Sequence, residues 1–367
     1  MPEQIRSAYH VAARRIETRI FPKVEPPEDI ILAKIEMCGV CGTDVHYWKR
    51  TPKSPHPLGH EPVYIIEEFG PNAVREDIWG QKLEVDDRIL AEIPWWCGEL
   101  SCPYCSFFHQ EWLCQGPLGS KRKKKPAWRE KIPPIAGYSN YGYIPSDSYI
   151  YKIPDTLPSK IAVLTDPLCT GLQIAKCMDR AGLTVAIVGS GPIGLLGLFA
   201  AKLAGAWRVI VTGGPENRLK LCEEFGADYT INIFEVTDPE ERIKTVKKLT
   251  PGGYGPDVVL EAAGVPIAFY ESIEMVRRGG TVVEVGHFTD AGPISINPHT
   301  ILRKNITIRS FNAFDGEEYG YALRVLDSYR DKYPLDKVVT HIFKIEEAQQ
   351  ALEAAERGIP MKAVIIP

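Results

Sequence analysis

Between residues 30 and 150 the apolar positions come in short runs, such as Ile31-Leu32-Ala33-Lys34-Ile35 and Pro62-Val63-Tyr64-Ile65-Ile66, punctuated by Gly and Pro. Short runs rich in β-branched and aromatic residues and bounded by turn formers predict a mainly β region with irregular connections. From about 166 to 303 the texture changes. Apolar strand-like stretches at 185–188, 209–211, 257–260 and 281–285 alternate with helix-like ones, clearest at 195–204 and 218–225, which predicts a parallel, doubly wound sheet. The tail from 306 holds an amphipathic segment at 345–356 and ends in the strand-like Lys362-Ala363-Val364-Ile365-Ile366, which is expected to rejoin the first domain. The fold class predicted is α/β. Residues 1–165 and 305–367 would form a β-rich catalytic domain, residues 166–304 a nucleotide-binding domain, and the active site would lie where they meet.

A length of 367 residues suits two domains, since one core seldom grows beyond roughly 250–300 residues. The net charge of −4 and pI near 6.1 supply no basic field for nucleic acid or anionic lipid, so the expected partner is a small molecule. Residues 1–18 carry charges throughout, and no run reaches the ~20 apolar residues of a membrane helix, so a cytoplasmic protein is expected. Nine cysteines, an odd number and partly clustered, favour thiolate ligands over disulfides. The basic run Lys121-Arg122-Lys123-Lys124-Lys125 reads as an exposed loop, either a solvated face or a phosphate-contacting patch.

Within the second domain, Val185-Ala186-Ile187-Val188 runs into Gly189-Ser190-Gly191-Pro192-Ile193-Gly194 and then a helical stretch. This is the strand–turn–helix context of a dinucleotide fingerprint. Gly189 allows the tight turn, Gly191 lets backbone approach a pyrophosphate, and Gly194 lets helix and strand pack, with open N–H groups at the helix start facing the anion. An acid that would hold the ribose hydroxyls of NAD is expected at the end of the next strand, where Gly213 and Gly214 stand instead. Their lack of charge and the nearby Arg218 lean towards a 2′-phosphate and hence NADP, with Glu216 or Asn217 serving a ribose of NAD as the alternative.

Two sets of metal ligands stand out. Cys97, Cys102, Cys105 and Cys114 can close four thiolates around a structural zinc. Cys41 with His46 nearby, His60-Glu61, and Asp166 form a looser set. One Cys, one His and one or two acids can hold zinc and leave a position open for substrate. Packed core residues are the alternative for any of these taken singly. Tyr47, Trp48, Trp95 and Trp96 suit either an apolar substrate wall or the core.

Taken together, Gly39-Val40-Cys41-Gly42-Thr43-Asp44-Val45-His46, Gly59-His60-Glu61, the four-cysteine loop, the glycine fingerprint and Asp257-Val258-Val259-Leu260-Glu261-Ala262-Ala263-Gly264 resemble, in order and approximate spacing, the zinc-containing medium-chain dehydrogenase/reductase family. The resemblance spans nearly the whole chain. It implies a GroES-like catalytic domain, a Rossmann domain, two zinc ions per subunit, NAD or NADP, and a homodimer or homotetramer. Cys41 and His60 match its catalytic zinc ligands, and Glu61 its mobile neighbouring carboxylate. Asp166 falls at the third-ligand position, which is an acid in the polyol and threonine dehydrogenases. Thr43 and His46 match the proton relay of alcohol oxidation, in which hydride passes to nicotinamide, and Val285-Gly286-His287 would lie near the nicotinamide. The first gap of the cysteine loop is longer than usual, and Cys38 and Cys169 sit beside presumed ligands. The competing readings are a zinc-free quinone or enone reductase and a non-catalytic zinc or nucleotide-binding protein. The acid at 166 points to a polyol, sugar or hydroxy-amino acid, the aromatics to a hydrophobic secondary alcohol.

Overall fold

A computed structural model describes residues 3–92, 97, 99, 101–110, 113–114, 127–314 and 316–367. The basic run at 121–125, Trp95 and Trp96 lie outside the described residues. The chain forms two compact units, the first Met1–Asp166, Phe314–Arg330 and Leu335–Pro367, the second Pro167–Ala313 with Asp331–Pro334. Among the described residues no helix is long and apolar enough to cross a membrane.

The first unit is built on β-strands. Gln4–Ala12, Arg15–Pro22 and His56–Pro57 form a small antiparallel sheet. A seven-stranded sheet centres on Ile30–Gly39, which pairs antiparallel with Glu61–Phe69, with Tyr141–Pro145 and with the last strand, Lys362–Ile366. The apolar residues that predict these strands are its core: Ile30, Ile31, Leu32, Ala33, Val63 and Ile66 are fully buried. Register decides the chemistry. Gly39 lies opposite Glu61 on one side and Val364 on the other, so the end of the central strand, the start of the second and the C-terminal strand converge at one place.

The second unit has six parallel strands: β1 (Thr184–Val188), β2 (Arg208–Gly213), β3 (Tyr229–Asn232), β4 (Val258–Glu261), β5 (Thr281–Glu284) and β6 (Thr307–Ser310). Their order is β3-β2-β1-β4-β5-β6, the doubly wound arrangement expected of the alternating texture. The central strands β1 and β4 are apolar apart from Thr184 and Glu261 because helices cover both faces, leaving Val185, Ala186, Ile187, Val259 and Leu260 with no exposure. Strand β6 belongs to this sheet through its pairing with β5, so the tail leaves the second unit only after Ala313 rather than at 305.

Candidate active site and metal centres

Cys41 follows the central strand and caps the short helix Gly42–Trp48: its Sγ accepts the Thr43 N–H at 3.5 Å, while Asp44 Oδ2 accepts the Cys41 N–H at 3.1 Å. His60 immediately precedes the paired strand that begins at Glu61. Strand pairing therefore brings ligand atoms of Cys41, His60 and Glu61 within 4.8 Å of one another. A thiol, an imidazole and a carboxylate on one point suit zinc, with room in its shell for a further oxygen.

The surroundings are arranged for a cation. Asp44 is almost wholly buried, faces His60 Nδ1 at 3.4 Å and accepts the Tyr138 hydroxyl at 2.6 Å. Burial alone would raise its carboxyl, yet the His60 charge and the bonds from His60, Tyr138 and the Cys41 amide hold it below the ordinary range. Burial likewise opposes charge on His60, whose ring is 44% exposed, but Asp44 and Cys41 pull it well above the usual histidine value. Anionic and lone-pair donors facing one point in this way fit a metal cation. Glu61 is ion-paired through Oε2 with Lys362, and both are buried. Gly39 makes room for the pair: a Cβ there would stand 1.9 Å from Glu61 Oε2 and 2.9 Å from Lys362 Cε.

Asp166 is not among the three residues whose ligand atoms lie within 4.8 Å of one another; its Oδ2 accepts the Tyr319 hydroxyl at 2.7 Å. Thr43 and His46 lie on the helix that Cys41 caps, both partly buried. Burial, then Lys49 and Arg50, hold His46 below its ordinary value. Trp48 is core, 1% exposed with the Arg14 guanidinium 5.0 Å over its ring, whereas Tyr47 is exposed. Cys38 is a buried thiol packed on Gly137, and Cys169 is also buried.

Cys97, Cys102, Cys105 and Cys114 converge likewise, with Sγ separations of 3.8 Å for Cys97–Cys105 and for Cys102–Cys114. Four sulfurs held at about 2.3 Å in a tetrahedron have edges of about 3.8 Å, so the loop already has the dimensions of a closed zinc site.

In the second unit, α1 (Pro192–Leu203) starts from Gly191 with no side-chain cap, leaving its first N–H groups for an anion. A Cβ on Gly194 would lie 1.8 Å from the Gly189 carbonyl oxygen; Ile193 lies between, in the helix's first turn. Ser190 ties this loop to the end of β2: its Oγ accepts the Gly214 N–H at 2.8 Å and donates to the Gly214 carbonyl at 3.0 Å. A Cβ on Gly213 would meet that Oγ at 2.4 Å, and one on Gly214 would meet Phe234 at 2.6 Å, so these glycines have a packing cause besides any cofactor preference. The Arg218 guanidinium, in α2 (Glu216–Glu224), comes to 3.9 Å from a Cβ placed on Gly191. Val285 and His287 follow β5, and His287 Nδ1 lies 3.0 Å from Glu284 and 3.3 Å from Glu261.

Asp44, Tyr138, Tyr319, Lys362, Ser190 and Glu284 escape the sequence reading. Lys362 carries a usable signal, a lysine opening an otherwise apolar terminal strand, and Asp44 another, an acid three residues after Cys41 at a helix start.

Comparison with known proteins agrees with this geometry. Residues 27–155 match the alcohol dehydrogenase GroES-like domain and residues 192–328 the zinc-binding dehydrogenase family. The chain is 30% identical to 5-exo-hydroxycamphor dehydrogenase of Pseudomonas putida, over 98% of each chain, and 30% identical to sorbitol dehydrogenase of Gallus gallus, over 96% of this chain and 92% of the relative. A zinc-binding dehydrogenase structure from Sinorhizobium meliloti, bound to NADP, superposes with a TM-score of 0.83 at 26% identity over the whole of both chains. The chain belongs to the zinc-containing medium-chain dehydrogenase family, as an NAD(P)-dependent alcohol dehydrogenase acting on hydroxyl groups.

Proposed function

We propose that this chain interconverts a secondary alcohol, a class that includes polyol and sugar hydroxyls, and the matching carbonyl, with its catalytic zinc held by Cys41, His60 and Glu61 and a structural zinc held by the four-cysteine loop. The observation that carries the reading is the convergence of those three ligand atoms within 4.8 Å. A zinc ion bound there supplies a Lewis acid that lowers the pKa of the substrate hydroxyl. Thr43 accepts the hydroxyl proton and His46, further along the same short helix and partly buried, carries it towards solvent. Asp44 fixes the His60 ring, and Lys362 holds one oxygen of Glu61. Asp166, engaged by Tyr319, acts from outside the ligand group.

On the cofactor side, Gly189, Gly191 and Gly194 with Pro192 and Ile193 bring the α1 N–H groups to the pyrophosphate, and Val285 and His287 flank the nicotinamide. Arg218 beside Gly191 and the absence of an acid at Gly213 and Gly214 favour NADP. A zinc-free reductase is not favoured because it leaves the two ligand clusters without purpose, and a non-catalytic protein is not favoured because the relatives are dehydrogenases. By analogy with the family, the protein works in the cytoplasm as a homodimer or homotetramer. The test is a panel of secondary alcohols, polyols, sugars and hydroxy-amino acids with NAD and NADP, followed by nicotinamide absorbance. At least one class should be oxidised, and Cys41→Ser should abolish the signal. A zinc-replete protein that reduces neither cofactor with any of them would contradict the reading.

A further inference from the structure

The motif at 257–264 has no part in the chemistry above, yet the structure makes its Glu261 the centre of the cofactor side. Glu261 closes β4 and has no solvent exposure. Its Oε1 accepts the N–H groups of Ala263 and Gly264, both at 2.9 Å. The turn so held lies against the fingerprint: a Cβ on Gly189 would be 2.8 Å from Ala262 C and Ala263 N. A Cβ on Gly264 would meet the Gly286 oxygen at 2.4 Å, and one on Gly286 would meet Glu261 Oε2 at 2.2 Å. The carboxyl ends of β1, β4 and β5 thus interlock around one carboxylate.

Holding that turn takes one acceptor oxygen, and the structure supplies more than that. Glu261 Oε2 makes no hydrogen bond and sits 3.3 Å from His287 Nδ1, which also contacts Glu284 Oε1 at 3.0 Å; Glu284 Oε2 is buried and without a hydrogen bond too. Two carboxylates therefore share one imidazole. Burial and the Glu284 charge push Glu261 up to about 7. The other ionisable groups on the adjoining helix Pro266–Met275 are engaged elsewhere, Tyr270 with Glu240, Glu271 with Arg242 and Glu274 near Lys304, and β1 carries none. The result is net negative charge at the strand ends, where doubly wound folds bind their ligands. An oxidised nicotinamide ring is cationic and a reduced one is neutral, so that charge acts on the two forms unequally.

We propose that Glu261 and Glu284, bridged by His287, set the redox-form preference of the cofactor site, favouring oxidised over reduced nicotinamide, while Glu261 also positions the turn at 262–264. This rests on the placement of nicotinamide beside Val285 and His287. The test measures dissociation constants of the oxidised and reduced forms of the preferred cofactor, by calorimetry and fluorescence, at roughly one pH unit above the Glu261 value. In Glu284→Gln the oxidised form should weaken roughly tenfold relative to the reduced form, the scale of one nearby unit charge. Tenfold corresponds to about 30 mV in the midpoint of the bound two-electron couple. Glu261→Gln should show the same bias plus a loss common to both forms. Should Glu261→Gln fail to fold, Glu284→Gln decides alone, its side chain being 15% exposed. A purely structural role moves both forms by one factor, and an unchanged ratio in Glu284→Gln overturns the proposal while leaving the cofactor site intact. Wild-type protein that binds neither form would overturn the proposal and the placement together.

Discussion

Lys362→Met probes how the first unit tolerates the charge stored beneath its ligand cluster. The lysine and Glu61 side chains are 2% and 1% exposed, and the lysine charge is also felt by Cys41 and Asp166. Removing one partner of a buried pair costs about 3–5 kcal/mol because the other is left as an uncompensated charge. For a unit of this size that is a drop of roughly 6–20 °C in melting temperature, at about 2–4 °C per kcal/mol. Glu61→Gln with Lys362→Met removes the orphaned charge, so the double variant should melt closer to wild type than Lys362→Met does, with a coupling of about 2 kcal/mol or more. Acidification should shrink the deficit of the single variant, since a protonated Glu61 needs no cation, and burial already raises that carboxyl. The assay is thermal unfolding of metal-free protein across the four members of the cycle, so that no zinc on Glu61 stands in for the lysine charge. A Lys362→Met protein within about 1 kcal/mol of wild type, or strictly additive effects, would refute the reasoning.

Further outcomes follow from the same geometry. Gly194→Ala places a Cβ 1.8 Å from the Gly189 oxygen, so nicotinamide binding by fluorescence titration should weaken by roughly 100-fold or more, a loss of about 3 kcal/mol. Arg218→Ala should raise KM for NADPH by about tenfold or more and leave NADH nearly unchanged, as expected when a charge-assisted contact to the 2′-phosphate is lost. Glu261 should leave a mark on stability. With its folded value raised from 4.5 to about 7, it contributes stability fully present below the lower value and lost as pH rises through the upper. Wild type should therefore lose up to about 3 kcal/mol relative to Glu261→Gln between those limits, measured by urea unfolding.

How much of this can be read from residues alone differs between the units. The doubly wound sheet is legible because parallel strands buried on both faces are continuous apolar runs, and Gly189, Gly191 and Gly194 mark the turn between β1 and α1. The ligand types Cys41, His60 and Glu61 are legible through their motifs, but their convergence depends on the register that sets Gly39 opposite Glu61. That register arises from pairing between distant segments, which no local pattern specifies. The same limit hides Lys362, more than 300 residues from its partner, and Tyr319, whose hydroxyl reaches Asp166 from 153 residues away. β6, beyond the boundary read near 305, shows a related limit: it is short and its four residues are all exposed, so its pattern does not announce a sheet strand. Gly213 and Gly214 each have a packing cause, against Ser190 and Phe234, which composition cannot separate from the proposed cofactor preference.

Zinc content per chain, measured by elemental analysis in wild type and in Cys41→Ser, tests the central claim most directly. Wild type should hold two zinc ions and Cys41→Ser one, with alcohol oxidation abolished and nicotinamide affinity within about twofold, since cofactor and metal ligands sit in different units. Two zinc ions retained in Cys41→Ser, or oxidation persisting in it, would contradict the assignment of Cys41, His60 and Glu61 as the catalytic metal centre.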